Sequence, residues 1–365
     1  MNTRRCLTLL LLCCLAAGVS CAAAEQNGTA WVISAHQCGK EGCYWETPMD
    51  ITDTKAVWRM LLSPVTVVDG HEKTQVYLYK EPDETSEPVG EITCATQDVH
   101  VLETLNNGWT KVETYSSSFH DSKVKAWNAL VEGYVPTASL LVKEPLTTYG
   151  LVVDKLTQRL YLFVEGELYD TLAVSTGLPN PRQPYNETAA GAFLLSSRVG
   201  AFVSGKSVCD YGIRFDNGNI LHEVPYLPRE GGEKYYQFEP ELGQRASHGC
   251  IRVQRKRTPL GVNMNWLWKA LSDQMGTKLV VWDDPAGRQM PTPDDDTLVY
   301  WNPKGKKLYH RTSACSAEYK SKQPTTAFRY GELETEPYLP LKLCTSCFPP
   351  LRKEAIDEIN QAHAR

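Results

Sequence analysis

The chain has 365 residues, twelve cysteines, and 43 acidic against 38 basic side chains, for a formal net charge of −5. That balance argues against a nucleic-acid partner, which favours a basic face. The length calls for two or three domains rather than one. The first element is a leader: Arg4 and Arg5 are followed by the apolar run 7–17 and by Ala22, Ala23 and Ala24. The run is too short to span a bilayer and the small residues suit cleavage, so 1–24 is expected to be a secretory signal peptide and the protein to be exported. Cys21 as a lipidation site is disfavoured, because Gly18-Val19-Ser20 before it lacks the expected leucine.

Beyond the leader lie Cys38, Cys43, Cys94, Cys209, Cys250, Cys315, Cys344 and Cys347. In an exported chain an even count reads first as disulfides. Cys38 and Cys43 bracket the turn-forming "GKEG" and are expected to close a small loop in an N-terminal extension, 25–56. From 57 to 145, short β segments alternate with turn residues ("QVYLYKEPDETSEPVGEI", "DVHVLETLNNGWTKVETY", "VEGYVPTASLL"), the pattern of a small all-β barrel. "NNGWTKVE" followed by "EGYVP" resembles the bacterial SH3-like domains attached to wall-associated enzymes. The resemblance implies a targeting or positioning role, with a spacer that binds nothing as the alternative.

A second β-rich unit, 148–284, opens with "LVVDKLTQRLYLFVEGELYDTLAVSTG" and closes with "TKLVVWDD". Leu160, Leu162 and Val164 alternate with Tyr161 and Phe163, which predicts a strand with two unlike faces. One helix is expected in "NMNWLWKALSDQMG", where Trp266, Leu267, Ala270 and Leu271 keep helical spacing and Gly276 is a terminator. A polar, proline-bearing linker follows at 285–296, then a small unit at 297–350 and a tail at 351–365, read as a solvated helix.

The chemistry concentrates in "SHGCIR", 247–252. A cysteine attacks as a thiolate, and a histidine can take its proton and return it to the leaving group. The base is expected from elsewhere in the chain rather than from His248. His222, at the end of a predicted strand in "NILHEVPYLP", is the candidate. Gly249 lets a substrate approach the peptide planes of His248, Gly249 and Cys250, which are suited to hold a developing oxyanion, and Ser247 can hydrogen-bond near the loop. Arg252 shares the side of Cys250 and could pair with a substrate carboxylate.

"SHGCIR" with an upstream histidine, "VSTG" at 174–177 and "TAAGAF" at 188–193 resemble the L,D-transpeptidase catalytic domain family of the YkuD type. The fold class this implies is mainly β: an SH3-like barrel, then a sandwich-like catalytic domain with one or two helices, then a small C-terminal module. The resemblance further implies Cys250 as nucleophile, His222 as general base, peptidoglycan stem peptides as substrates, acylation by carbapenems and no cofactor for catalysis. An amine acceptor would give a 3→3 cross-link, water would make the same site an L,D-carboxypeptidase, and an inactive domain would leave a wall-binding scaffold. The stretch between His222 and Ser247 exceeds the family's common spacing and is read as a loop inserted over the cleft.

Two further patterns remain. "GAFVSGKS", 200–207, fits the phosphate-binding G-x-x-x-x-G-K-[ST] loop, but "VCDYGIRFDNGN" has turns where the required helix should start, so no nucleotide is expected. His310, Cys315, Cys344 and Cys347 supply four possible tetrahedral zinc ligands, with a disulfide plus an incidental histidine as the equal alternative. If zinc takes these sulfurs, Cys94 and Cys209 are left over and could bridge the barrel to the catalytic unit. The basic run "RVQRKR", 252–257, reads as a solvated face apart from Arg252.

Overall fold

The computed structural model describes residues 48–118, 120–229, 232–284, 288–315 and 323–363. The expected leader and the Cys38–Cys43 loop lie outside them. The first described element is helical, where sequence periodicity suggested only extension and strand. Helix α1 (Thr54–Leu62) is capped by Asp53, whose carboxylate accepts from the Ala56 amide. Strand β1 (Val65–Val68) pairs with β7 (Leu140–Lys143), and between them β2 (Gln75–Tyr79), β3 (Pro88–Thr93), β4 (His100–Thr104), β5 (Trp109–Tyr115) and β6 (Leu130–Pro136) form a five-stranded sheet in the order β3-β2-β6-β5-β4. Its core is Leu78, Ile92, Val101, Val112 and Val135.

The second unit is built from β8 (Tyr149–Asp154), β9 (Arg159–Val164), β10 (Glu167–Ser175), β11 (Gly191–Leu194), β12 (Ser197–Ser204), β13 (Ser207–Arg214) and β14 (Ile220–Glu223). A small hairpin of β15 (Leu227–Arg229) and β16 (Gly232–Lys234) follows, and then β17 (Ile251–Val253), helix α2 (Met264–Ala270) and β18 (Lys278–Trp282). Nine of these strands form one sheet in the order β11-β18-β8-β9-β10-β17-β14-β13-β12. Leu151, Val153, Leu160, Leu162 and Val281 face the main core with Phe193, Phe215 and Leu267. Val152, Phe163, Val280 and Trp282 point the other way and are covered by Val57 and Leu61 of α1. The alternation expected in β9 is therefore incomplete, since Phe163 is as buried as Leu160 and Leu162. A sheet roofed on both faces selects apolar residues on both.

Helix α2 is shorter than its periodic stretch: Leu271 is its C-cap, and the chain turns before Gly276. Its start is held by Asn263, whose side chain accepts from the Trp266 amide. The last sheet runs β21-β19-β20-β22 and is made of β19 (Leu298–Trp301), β20 (Leu308–His310), β21 (Thr326–Arg329) and β22 (Lys342–Leu343), with Val299, Tyr309 and Phe328 inside. Helix α3 (Lys353–His363) is docked rather than solvated. Ile356 is buried against Leu156 and Met290, and Asn360 bonds both the amide and the carbonyl of Met290. The tail reads as polar because a single apolar stripe suffices for that contact. No helix among the described residues is long and apolar enough to cross a membrane.

Candidate active site

Strand β17 explains why the "SHGCIR" stretch matters. It lies between β10, antiparallel to it, and β14, parallel to it, with His222 directly opposite Arg252 and Leu221 opposite Ile251. Ile251 and Val253 point into the core, so Cys250 and Arg252 take the other face, which His222 shares. Cys250, His222 and Arg252 line one cavity of about 560 Å³, together with Phe202, Cys209, Leu227, Gln237, Phe238, Ser247 and His248.

The turn before Cys250 is tied down from several sides. Ser247 donates its hydroxyl to the Cys250 carbonyl and accepts from the Gly249 amide at 3.2 Å. Gly249 adopts φ +113°, and a Cβ there would lie 2.5 Å from Asn219 Oδ1, so the close packing of this turn requires glycine. Thr188 Oγ1 donates to the Gly249 carbonyl at 2.8 Å and accepts from the Gly177 amide at 2.8 Å. Gly177 itself has no room for a side chain, since a Cβ would sit 1.8 Å from the Asn186 carbonyl oxygen. The two stretches "VSTG" and "TAAGAF" thus meet at the cysteine turn, far from both in sequence. Behind them Lys155, fully buried, holds Glu187 at 2.8 Å and Asp283 at 2.6 Å. Burial works against its charge, but those two carboxylates outweigh burial and hold its pKa above the usual lysine value.

Electrostatically the pair is neutral at rest. Burial pushes the Cys250 thiol up, while Arg252 and Arg214 act in the opposite sense. Burial lowers His222 to about 4, and Arg252 adds to the shift. His222 Nδ1 donates to the Glu223 carbonyl at 2.6 Å, which fixes the tautomer and leaves the lone pair on Nε2. Its ring meets Phe202 edge to face, with centroids 5.3 Å apart. The imidazole and the thiol line the same cavity, and Cys250 Sγ lies 4.0 Å from the Gly218 carbonyl.

Several expectations change. Arg252 is not free for a substrate carboxylate: Glu241, from the segment between His222 and Ser247, already forms its ion pair, and Phe238 lies under its guanidinium at 5.3 Å. Among the three amides expected to hold an oxyanion, that of Gly249 is committed to Ser247 Oγ. The rest of the "RVQRKR" run is not a bare solvated face either, because Arg255 and Lys256 both reach Glu239 at 3.4 Å. Cys94 and Cys209 form no bridge. Cys94 packs against Gly70, whereas Cys209 lines the Cys250 cavity with a thiol that burial and then the nearby Cys250 push up to about 12. The "GAFVSGKS" stretch is the hairpin of β12 and β13, closed at Ser204 and Ser207, with no helix after it.

Sequence reasoning missed Phe238, Glu241 and Asn219, and read Cys209 as a bridge partner rather than as a lining residue of this cavity. One signal was present for Glu241: "EPE" at 239–241 is an acidic complement to the basic run at 252–257. Asn219 is held by Asp216 at 3.1 Å and by the Ser118 carbonyl at 3.4 Å, and Thr93 Oγ1 donates to Asp216. The five-stranded unit is therefore wired into the floor of the cysteine turn. A broader groove of about 1080 Å³, lined by Lys73, Tyr77, His120, Tyr185 and Asn217, runs from that unit to His248.

The residues of the C-terminal motif also converge. His310 ends β20 and Cys344 follows β22, its parallel neighbour, with the Cys344 amide donating to the Tyr309 carbonyl at 3.1 Å. Cys315 and Cys347 complete a buried cluster whose ligand atoms all lie within 4.8 Å of one another.

The nine-stranded sheet thus brings Cys250, just before β17, and His222, on the parallel neighbour β14, to one cavity, with the turn held by Thr188 and Gly177. Residues 148–281 match the family model of the L,D-transpeptidase catalytic domain, YkuD. Among solved structures, the L,D-transpeptidase of Xylanimonas cellulosilytica is 20% identical, covers 38% of this chain and 64% of its own, and has a TM-score of 0.27. The corresponding values for the L,D-transpeptidase of Stackebrandtia nassauensis are 20%, 40%, 60% and 0.27. For an L,D-transpeptidase of Mycobacterium tuberculosis H37Rv they are 14%, 59%, 100% and 0.29. This chain thus spans less than two thirds of the first two of these structures. No curated protein matches it.

Proposed function

We propose that the protein is an exported peptidoglycan L,D-transpeptidase that forms 3→3 cross-links through a Cys250 acyl-enzyme. The observation that carries this reading is the placement of Cys250 and His222 in one cavity, on one face of neighbouring strands, inside a stretch that matches the family. His222 Nε2 takes the thiol proton as Cys250 Sγ attacks the carbonyl of the third residue of a donor stem. The amides of His248 and Cys250 receive the oxyanion, since that of Gly249 is occupied. The carbon–nitrogen bond to the terminal D-alanine breaks, and the proton held by His222 passes to the departing amine. The amine of a second stem then attacks the thioester, gives up its proton to His222 and restores the thiol. Ser247 and Arg252 act as positioning groups in this scheme: Ser247 holds the turn, and Arg252 holds the Glu241 segment over the cavity. The SH3-like unit would orient the chain on the wall, and its bonds through Thr93 and Ser118 favour positioning over a loose spacer.

The test is intact mass after incubation with a carbapenem. A single adduct on Cys250, absent from Cys250→Ala, is expected. A folded wild-type protein that stays unmodified overturns the acyl-enzyme and favours a wall-binding scaffold. With donor tetrapeptide and acceptor together, a cross-linked dimer is expected, whereas D-alanine release with no dimer assigns the site to an L,D-carboxypeptidase.

A further inference from the structure

The Cys/His cluster lies outside the catalytic chemistry, yet it adjoins the roof of the Cys250 cavity. Zinc–sulfur bonds of about 2.3 Å at tetrahedral angles place neighbouring sulfurs roughly 3.8 Å apart. Cys315 Sγ and Cys344 Sγ are 3.8 Å apart, and Cys347 Sγ is 3.7 Å from His310 Nδ1. A disulfide would need sulfurs at about 2.05 Å and would leave a third thiol beside the pair. The sulfurs also receive backbone donors, the Arg311 amide on Cys347 at 3.3 Å and the Ser346 amide on Cys344 at 3.4 Å, an arrangement that suits thiolates. Every one of the four side chains is buried.

The knuckle between Cys344 and Cys347 is fastened to the strand that carries Cys250. Beyond β17, Gln254 Nε2 donates to the Ser346 carbonyl at 3.4 Å and Lys256 Nζ to Thr345 Oγ1 at 3.0 Å. Phe348, next in the chain, is packed with Leu242, Phe238 and Tyr235 of the segment that covers the cavity. Phe348 holds φ +42°, a left-handed conformation that a bulky residue keeps only when its surroundings impose it.

We propose that His310, Cys315, Cys344 and Cys347 bind one zinc ion in tetrahedral geometry and that the metal-closed knuckle, through Thr345, Ser346 and Phe348, fastens the roof segment 235–242 over the Cys250 cavity. Binding releases a proton from each thiol and closes three chain segments around one ion. The metal site stands independently of any role for Cys250, and only its effect on the cleft rests on the function proposed above.

The full chain, purified without chelator, is expected to contain about one zinc per molecule by elemental analysis, lost in Cys344→Ser and Cys347→Ser and kept in Cys94→Ser. Should the ligand variants fail to fold, Co²⁺ exchanged into the wild type reports the same site through thiolate-to-cobalt absorption and the visible bands of a tetrahedral ion. Folded wild type with no metal and an oxidised cysteine pair in the cluster overturns the site. Chelation is expected to speed tryptic cutting at Arg229, Lys234 and Arg245 by about tenfold, reversed by added zinc, with cutting at Lys80 unchanged. Loss of metal with no change at those three positions overturns the link to the roof. Carbapenem adduction of Cys250 is scored separately, so neither failure is mistaken for failure of the proposed chemistry.

Discussion

The cysteine at 250 and those at 315, 344 and 347 are all uncrosslinked, but their surroundings differ in the way the two proposed chemistries require. Cys250 is half-buried on an open cavity wall and has a histidine on the neighbouring strand. The other three are fully enclosed and face one another and His310. A nucleophile needs a lone base and a route for substrate. A ligand set needs several donors converging at bonding distance from one point and no opening for a substrate. Reactivity therefore follows from how many partners converge on a sulfur and whether the site is open, not from the residue type.

The comparison is broken most directly by removing the base. His222→Ala is expected to slow carbapenem acylation about 10²- to 10⁴-fold at neutral pH, with metal content unchanged; a rate within a factor of two of wild type would show that Cys250 needs no imidazole. The same group sets a pH signature. Because burial lowers His222 to about 4, it stays neutral well below pH 6.5, and the acid limb of acylation is expected to fall near pH 4. The folded pKa is depressed, so its contribution to stability is complete above pH 6.5 and is lost as the pH falls through 6.5 towards 4. An acid limb centred at 6.5 would show a solvated histidine. Gly177→Ala comes next. Its Cβ would overlap the Asn186 carbonyl, and the expected cost is about 1–3 kcal/mol of stability, read as a lower midpoint in urea, with slower acylation as the Thr188 link to Gly249 shifts. The smallest effect is expected at the hairpin tip, where Lys206 lines the cavity edge and Lys206→Ala should change acylation less than about threefold; a large loss would show that this lysine contacts the acyl donor.

Much of the architecture was legible because it rests on local patterns. Alternation and turn residues marked the β-rich units, "NMNWLWKA" marked α2, and "SHGCIR" with an upstream histidine marked two residues that the fold brings to one cavity. Helix α1 was not legible, because its apolar face covers strands nearly a hundred residues or more away, and nothing nearby announces that contact. Helix α3 was legible as a helix, but its docking was not, because its buried stripe is reduced to Ile356 and its neighbours.

By itself the sequence determined which residues could do chemistry: the thiol, the distant imidazole, the glycines that allow tight turns and the four Cys and His side chains of the last unit that are proposed to bind zinc. Tertiary structure alone decided who partners whom. It gave Arg252 to Glu241, the Gly249 amide to Ser247, Cys209 to the Cys250 cavity and the Thr345–Ser346 backbone to the strand of the nucleophile. The physical reason is that donor and acceptor types are local properties of a side chain, whereas their pairing depends on distances set by strand register across a sheet, which no short stretch encodes.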